Sequence, residues 1–235
     1  MKFDLREIQT YWINLEDDKV NAKRMTKMCD SLGLNHRRIR GIKRSPGIVG
    51  CGLSHLECWH RIVAHDKKLP ALVFEDDATQ INHEDFNHII EVPDECSALY
   101  LGVSSAGANT GGGPNSVRAT RYNKDYIQLH NMLSLHACVF LNPEYLVNLL
   151  KIADKAVCDG RVPIDVVPAL MQKDFLVLTP NRPWFYQSDP EKKAKFPVEL
   201  YTKNPIVPEQ LPAPPPEMVY TSKDSLGRFV PEIRR

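Results

Sequence analysis

The sequence has no long hydrophobic run and no excess of charge of either sign. Its 235 residues include 30 basic and 29 acidic side chains, which gives a formal net charge of +1 at pH 7. Without a basic excess, the chain has no bulk electrostatic attraction to nucleic acid or to an anionic membrane. The longest apolar stretches, residues 70–74 and 97–103, are far shorter than the ~20 residues that span a bilayer. We therefore expect no nucleic-acid partner and no transmembrane segment.

The first residues also lack the features of a secretory signal. The opening MKFDLREIQTYW mixes charges of both signs and contains no apolar core before a cleavage site. The six cysteines form no C-x-x-C pair and are scattered through segments that we predict to be core elements. Both observations are typical of a protein that keeps its thiols reduced. We therefore predict a cytoplasmic protein without a disulfide scaffold.

Three potential metal ligands share one predicted helix. Cys51, His55 and Cys58 are spaced i, i+4 and i+7, so they would lie on one helical face and could bind zinc. The neighbouring Leu56 and Trp59 give the same segment an amphipathic pattern, and cysteine is among the most buried residue types even without a metal. A buried face without metal is the favoured interpretation, and a zinc site is the alternative.

Predicted strands and helices alternate along the chain. Strands are predicted at residues 8–15, 34–42, 71–74 and 98–103, and helices around residues 25–32, 52–68, 83–90, 143–157 and 164–173. The four basic residues of the second strand favour a position near the edge of the sheet. Gly33 is the expected stop of the first helix. This alternation predicts the α/β class, with a sheet flanked by helices.

Two segments fall outside this alternation. Residues 102–116 hold five of the twelve glycines and almost no apolar side chain, which predicts a long loop. From residue 190 onward the chain carries nine of its eighteen prolines, so it cannot stay in a sheet or helix for long. We predict a single domain at residues 1–190 and a proline-rich arm or tail at residues 191–235.

An acidic triplet follows the clearest strand. Glu75, Asp76 and Asp77 come directly after the apolar run at residues 71–74. In an open α/β sheet, ligands bind beyond the carboxyl ends of the strands. Neighbouring carboxylates repel one another by roughly 1 to 4 kcal/mol per pair near a protein surface, so such a triplet commonly meets a cation. Oxygen ligands favour Mg²⁺ or Mn²⁺. The alternative is a solvated acidic turn.

Four blocks of sequence carry a resemblance to a known family. They are YWINLEDDKVNAKRM at residues 11–25, GCGLSHLECWHRIV at residues 50–63, LPALVFEDDA at residues 69–78, and a looser block that runs from His136 through LNPEYLVNLL to VPIDVVPAL. In these blocks, which span about residues 8–190, the chain resembles glycosyltransferase family 25. That family includes bacterial lipopolysaccharide galactosyltransferases and collagen galactosyltransferases. The second and third blocks are the specific ones.

This resemblance implies a GT-A type fold, in which a Rossmann-like mixed sheet binds a UDP-sugar with Mn²⁺ or Mg²⁺. It implies Asp77 as the metal ligand, with Glu75 and His136 as further candidates, and Glu75 also near the ribose. Asp76 would face the donor sugar. An inverting reaction needs a base for the acceptor hydroxyl, and Asp165 is the candidate; helix N-capping is its alternative role.

The resemblance also implies a donor-binding set. Asn14 and Arg24 would hold uridine and diphosphate, Ser54 and His55 would lie beside the donor pocket, and Gln187 would lie near the donor. A purely structural role is the alternative for Arg24, Ser54 and His55, since a helical serine can bond back to the preceding turn. One departure from the family is that residues 16–18 are acidic where basic residues are common, which places diphosphate contacts by that loop in doubt.

The resemblance implies an enzyme that transfers a hexose from a UDP-sugar to a glycan or hydroxylated acceptor, with galactose as the first candidate for the hexose. The glycine-rich loop at residues 102–116 could close over the donor. Two alternatives come from other classes: an inactive relative that only binds a nucleotide or glycan, and a metal-dependent phosphoesterase or nucleotidyltransferase. The product nucleotide distinguishes them, because glycosyl transfer releases an intact nucleoside diphosphate.

Overall fold

The computed structural model of the chain describes residues 1–66, 69–80, 87–104, 107–108, 117–158, 162–187, 218–223 and 229–233. The strands are β1 (Lys2–Asp4), β2 (Gln9–Leu15), β3 (Asn35–Gly41), β4 (Ala71–Glu75), β5 (Ala78–Gln80), β6 (Ile89–Glu91), β7 (Ala98–Tyr100), β8 (Arg118–Arg121), β9 (Tyr126–Asn131), β10 (Ala137–Phe140), β11 (Val177–Pro180), β12 (Phe185–Gln187), β13 (Met218–Lys223) and β14 (Phe229–Ile233). The helices are α1 (Lys19–Ser31), α2 (Gly47–His60), α3 (Pro143–Cys158) and α4 (Val166–Met171), and a π-helical segment, Arg61–Asp66, continues α2.

The described strands build one large mixed sheet. Its eight strands lie in the order β3, β2, β4, β10, β7, β11, β9, β8. β2 pairs in parallel with both β3 and β4, β7 pairs in parallel with β11, and the other neighbours are antiparallel. Three further two-stranded sheets join β1 to β6, β5 to β12 and β13 to β14. The predicted α/β class, with a mixed sheet flanked by helices, is confirmed.

Both faces of the large sheet are covered, which explains the continuous apolar run in β4. Ala71 and Val73 belong to a core that includes side chains of α2, α3 and α4. Leu72 and Phe74 belong to a second core, on the face that α1 covers. Because successive strand side chains point to opposite faces, a strand buried on both sides needs an apolar residue at every position. All four of these side chains are at most 1% exposed.

The prediction for the first half of the sheet is largely confirmed. β3 lies at the sheet edge, and Ile39 is its one buried residue. α1 begins after Asp18, whose carboxylate accepts a hydrogen bond from the backbone N–H of Asn21 at 2.9 Å. This cap satisfies a free N–H group of the first turn. Gly33 follows the helix with a φ of 63°, as its predicted role as a stop requires.

The start of α2 differs from the prediction. The helix begins at Gly47 rather than at residue 52, and its first turns contain Gly50 and Gly52. Both stand where the backbone approaches a neighbour closely. A Cβ on Gly50 would overlap the carbonyl oxygen of Ile42, and a Cβ on Gly52 would overlap the side chain of Val157 in α3. Close packing, and not turn formation, explains these glycines.

Other differences lie in short or polar segments. The helix predicted at residues 83–90 is wrong at its end, because Ile89 and Ile90 belong to β6; residues 81–86 lie outside the described residues. β8, β9, β11 and β12 are not predicted by the sequence patterns. In the tail, β13 and β14 form a hairpin-like pair, which the proline content did not predict; Pro231 lies within β14. A proline is tolerated in an edge strand because its missing N–H need not face a partner.

The remaining sequence predictions for these regions concern residues outside the described ranges. Most of the glycine-rich loop at residues 102–116 and most of the tail at residues 191–235 fall there, so loop closure and the domain boundary stay predictions. Among the described helices, none combines the length and hydropathy needed to cross a membrane.

Candidate functional site

Three elements bring polar side chains to one edge of the large sheet. β2 and β4 are parallel neighbours whose carboxyl ends are level, with Ile13 opposite Glu75. β10 runs antiparallel to β4, so its start lies at the same edge, and the carbonyl oxygen of His136 accepts a hydrogen bond from the N–H of Glu75 at 3.1 Å. β3 and β4 lie on opposite sides of β2, which makes this edge the point where the strand order reverses and where ligands bind in such sheets.

A cleft of about 870 Å³ opens at this edge. Its volume lies within the range of small-molecule sites, roughly 300 to 1,000 Å³. The predicted site residues that line it are Asn14, Ser54, His55, Glu75, Asp76, Asp77, His136, Asp165 and Gln187. The fold therefore gathers residues from both ends of the chain segment predicted to form the domain. Arg24 is the predicted site residue that is not among the lining residues.

Asp76 is held by a buried amide. Asn14, which is 1% exposed, donates its side-chain N–H to the Asp76 carboxylate at 2.6 Å and to the backbone carbonyl of Asp18 at 3.2 Å. Burial raises the pKa of Asp76, and the hydrogen bond from Asn14 opposes that rise. The carboxylate is therefore fixed in position at the cleft wall by a neutral donor.

Arg24 supports the acidic turn from behind. Its guanidinium donates to the carbonyl oxygen of Ala78 at 2.7 Å, to the hydroxyl of Thr79 at 2.8 Å, and to the carbonyl oxygen of Asp76. These contacts hold the turn between β4 and β5 against α1. The contact with a diphosphate that the resemblance implied stays a prediction, and this placement favours the structural alternative.

Glu75 and His55 form a pair in the cleft wall. The Nε2 atom of His55 lies 3.0 Å from the Oε1 atom of Glu75, and His55 is 1% exposed. Burial alone lowers the pKa of His55, but hydrogen bonds to Cys51 and Glu75 outweigh it and raise the pKa to about 10. Both contacts favour the protonated form of the imidazole. Gln187 also donates to Glu75, at 3.4 Å.

Ser54 has a structural position. Its hydroxyl donates to the carbonyl oxygen of Gly50 at 2.7 Å and accepts from the backbone N–H of Ile42 at 2.8 Å. These two bonds tie the end of β3 to the first turns of α2. The backbonding alternative that the sequence left open is what the structure shows, and a donor contact by Ser54 stays a prediction.

His136 is packed against a glycine on the other side of the cleft. Its Nδ1 atom lies 3.2 Å from the hydroxyl of Ser134, which donates to the carbonyl oxygen of Gly102 at 2.9 Å. A Cβ on Gly102 would overlap the imidazole ring of His136. Glycine at position 102 is therefore needed for the ring to occupy this place.

Asp165 stands at the N-cap position of α4 but makes no capping hydrogen bond through its side chain. Burial raises the pKa of Asp165, and the negative charge of Glu75 adds to that rise. Its Oδ1 atom is buried and has no hydrogen-bond partner among the described residues. A carboxylate in this state can accept a proton or a hydrogen bond from a ligand in the cleft.

The cleft also contains basic residues that the sequence analysis did not select. Lys43 and Arg44, from the loop between β3 and α2, line it together with Gly47 at the start of α2. Lys43 is paired with Asp17 at 2.6 Å. The acidic residues that follow β2 thus face basic residues from another loop. The signal that could have found them is the position of this basic loop directly before a helix N-terminus, where anions bind.

The acidic turn can supply oxygen ligands to a hard divalent cation. Mg²⁺ is commonly bound through one or two carboxylates together with substrate phosphates, and Mn²⁺ suits the same oxygen ligands. Asp77 and Glu75 line the cleft, whereas an oxygen of Asp76 is engaged by Asn14. This donor set fits such a cation. It does not form a compact cluster of three carboxylates among the described residues, where the compact group consists of Cys51, His55 and Glu75.

The structure does not bring together the three residues of the zinc alternative. Cys58 is fully buried in the core shared with α3, whereas Cys51 is exposed and lines the cleft. Of the cysteines whose side chains the structure describes, Cys51 is the exposed one.

Comparison with known proteins supports the resemblance. The family model described as Glycosyltransferase family 25 (LPS biosynthesis protein) matches residues 44–101, which include α2, β4 and the acidic turn. The two specific blocks, at residues 50–63 and 69–78, both lie within this range, and the predicted resemblance is confirmed there. A comparison with curated proteins found no match.

Among solved structures, the CTP:phosphocholine cytidylyltransferase LicC from Streptococcus pneumoniae is similar to this chain. The similarity covers 77% of this chain and 93% of that chain, with a TM-score of 0.40 and 8% sequence identity. A likeness of this size supports no conclusion about what the chain does.

Proposed function

We propose that the chain is a glycosyltransferase that moves a hexose from a UDP-sugar to a hydroxyl group of a glycan or other hydroxylated acceptor, with inversion at the anomeric carbon. Galactose is the first candidate for the hexose. The observation that carries the proposal is the position of the acidic turn. It lies within the segment that the glycosyltransferase family model matches, and it lines a cleft at the strand ends. The mention of LPS biosynthesis in that family's description favours a glycan acceptor.

In this proposal the nucleotide lies along the wall formed by β2, β4 and α2. Asn14 is near the uridine and the diphosphate lies between Asp77 and the start of α2. Lys43 and Arg44, together with the N-terminus of α2 at Gly47, place positive charge on that side of the cleft. Asp77 and Glu75 would hold Mn²⁺ or Mg²⁺, which stabilises the charge of a departing nucleoside diphosphate when it is bound. The arrangement is consistent with a GT-A type site.

The acceptor then approaches from the side of Asp165. Its attacking hydroxyl gives its proton to the Asp165 carboxylate while the hydroxyl oxygen bonds to the anomeric carbon of the donor. The bond from that carbon to the diphosphate breaks, and the electron pair leaves with the nucleotide. General base catalysis of this kind contributes roughly 10²- to 10⁴-fold to a rate. Asp76, held by Asn14, would accept hydrogen bonds from sugar hydroxyls.

The test is a panel of UDP- and GDP-sugars incubated with the protein and Mn²⁺, with identification of the nucleotide released. We expect UDP from a UDP-hexose, and a large loss of turnover in Asp77→Asn. Asp154→Asn, at an exposed position of α3, is the matched control and should be unaffected.

Three other results would count against the proposal. Release of UMP together with a sugar phosphate would indicate a phosphoesterase or nucleotidyltransferase. A preference for GDP-sugars would contradict the donor assignment. Binding of UDP without any turnover that depends on Asp77 would indicate an inactive relative.

A further inference from the structure

The cleft wall contains a second group of potential metal ligands, whose chemistry differs from that of the acidic turn. The ligand atoms of Cys51, His55 and Glu75 all lie within 4.8 Å of one another. We propose that these three side chains bind Zn²⁺ or another transition metal with similar ligand preferences. Glu75 then belongs to this site, and Asp77 and the donor phosphates would bind the Mn²⁺ or Mg²⁺ of the proposed function without it.

The backbone positions the three ligands for one ion. Cys51 and His55 are four residues apart in α2, so their side chains project from the same helical face, one turn apart. Glu75 ends β4 and meets this face from the sheet, with its Oε1 atom 3.0 Å from the Nε2 atom of His55. One helix and one strand end, both in regular structure, therefore supply all three ligands.

The distance between His55 and Glu75 is close to that of a tetrahedral zinc site. Zinc bond lengths place a nitrogen and a carboxylate oxygen about 3.4 Å apart, and a sulfur and a nitrogen about 3.6 Å apart, in that geometry. Zinc would displace the proton between His55 and Glu75, which is released to solvent, and the imidazole and carboxylate need to separate by only a few tenths of an ångström. The remaining adjustment falls on Cys51, whose side chain is exposed and free to change its rotamer.

Burial and access are both suitable for a bound ion. His55 is 1% exposed, so its ring is held in place, and Glu75 is half-buried. All three residues line the cleft, which gives an ion a path from solvent. Three protein ligands in a cleft are the arrangement of zinc sites that keep a fourth position for water or a ligand.

The ligand types favour zinc over manganese or magnesium. Thiolate and imidazole ligands select zinc and related metals, whereas manganese and magnesium prefer carboxylate, carbonyl and water oxygens. Cys58, the third residue of the helical spacing, is buried in the core and does not belong to this group. The structure thus replaces the ligand that the sequence spacing suggested with Glu75.

The experiment is a zinc titration of the full chain, reduced and stripped of metal, in competition with a chromophoric chelator and without nucleotide. We expect one tightly bound Zn²⁺ per chain. Cys51→Ser and Glu75→Gln should each weaken binding by roughly tenfold or more, since loss of even the partners behind metal ligands weakens binding by 10- to 100-fold. Cobalt(II) bound to the original chain should show a thiolate-to-metal charge-transfer band that Cys51→Ser abolishes.

Cys58→Ala is the matched control and should bind zinc as the original chain does. Zinc affinity within about twofold of the original in Cys51→Ser would overturn the proposal, as would a loss of binding in Cys58→Ala with the fold intact by circular dichroism. Because Cys51 is exposed, Cys51→Ser is the variant least prone to misfolding. The titration contains no sugar donor, so its failure leaves the proposed glycosyl transfer untouched, and a failure of transfer leaves this result unchanged.

Discussion

The polar side chains that line the cleft differ in how they are held. On the wall formed by β2, β4 and α2, each of Asn14, Asp76 and His55 has a protein partner within 3.0 Å. Asp165, which also lines the cleft, occupies an N-cap position without a capping bond and keeps a buried oxygen without a partner among the described residues. A held side chain positions a ligand, whereas a buried carboxylate oxygen without a partner can bond to a ligand. We infer that the wall formed by β2, β4 and α2 binds the donor and that Asp165 is the base.

The comparison predicts its largest effect for Asp165→Asn. An amide cannot accept the acceptor's proton, so transfer should fall by roughly 10²- to 10⁴-fold while the affinity for UDP stays within about twofold. Steady-state transfer assays and calorimetric UDP titration measure the two quantities. Asp154→Asn is the control with an exposed carboxylate. If UDP affinity falls together with the rate, Asp165 takes part in donor binding and its separate role as base is incorrect.

The pH profile of transfer sharpens the same distinction. A base must be deprotonated to act, and burial together with the charge of Glu75 raises the pKa of Asp165. Transfer should therefore decline, as pH is lowered, at a pH above the value of about 4 at which an ordinary aspartate titrates. The rate at saturating donor and acceptor, measured across pH, shows this decline. A rate that is constant down to pH 4 would contradict the role of Asp165.

For the donor wall, Asn14→Ala should weaken donor binding and stability together. The change removes the donor to Asp76 and leaves a buried carboxylate with one partner fewer. Loss of a hydrogen bond to a charged group costs about 1.5 to 3 kcal/mol of the free energy of unfolding. Urea unfolding and UDP titration measure the two effects. Asn35→Ala, at an exposed position of the edge strand β3, is the control; equal effects in the two variants would refute a special role for Asn14.

Arg24→Lys has the smallest expected effect and separates the two roles assigned to this residue. A lysine cannot reproduce the fork of contacts to Asp76, Ala78 and Thr79, so we expect a loss of about 1 kcal/mol, or roughly 2 to 4 °C in Tm for a chain of this size. UDP affinity should change by less than about threefold, because the side chain lies behind the turn. A tenfold loss of UDP affinity without a change in Tm would instead support the predicted contact between Arg24 and the diphosphate. Arg121→Lys at an exposed position is the control.

The sequence predicts the first half of the large sheet better than the second, for physical reasons. β2, β4 and α1 have strong local signals: a buried apolar run, an acidic end, or a glycine stop. The acidic turn could be placed because parallel strands end at the same edge of a sheet. β11 and β12 are short and pair with strands far away in sequence, so local patterns do not reveal them.

Within the site, residue types were predicted more successfully than their partners. The spacing in α2 put Cys51, His55 and Cys58 on one predicted face, but a helical pattern cannot show that Glu75 meets this face from β4. The resemblance assigned Arg24 to the donor, and its contacts with the acidic turn could not be predicted because they exist only in the folded chain. The basic loop with Lys43 was missed since its neighbours in sequence are strand residues, whereas its place in the cleft comes from the start of α2.

A crystal structure of the Asp165→Asn variant with UDP-galactose and Mn²⁺ tests the central claim most directly. The account predicts the diphosphate between Asp77 and the start of α2 at Gly47, with the sugar directed toward position 165. A nucleotide bound elsewhere, or a diphosphate remote from Asp77, would contradict it.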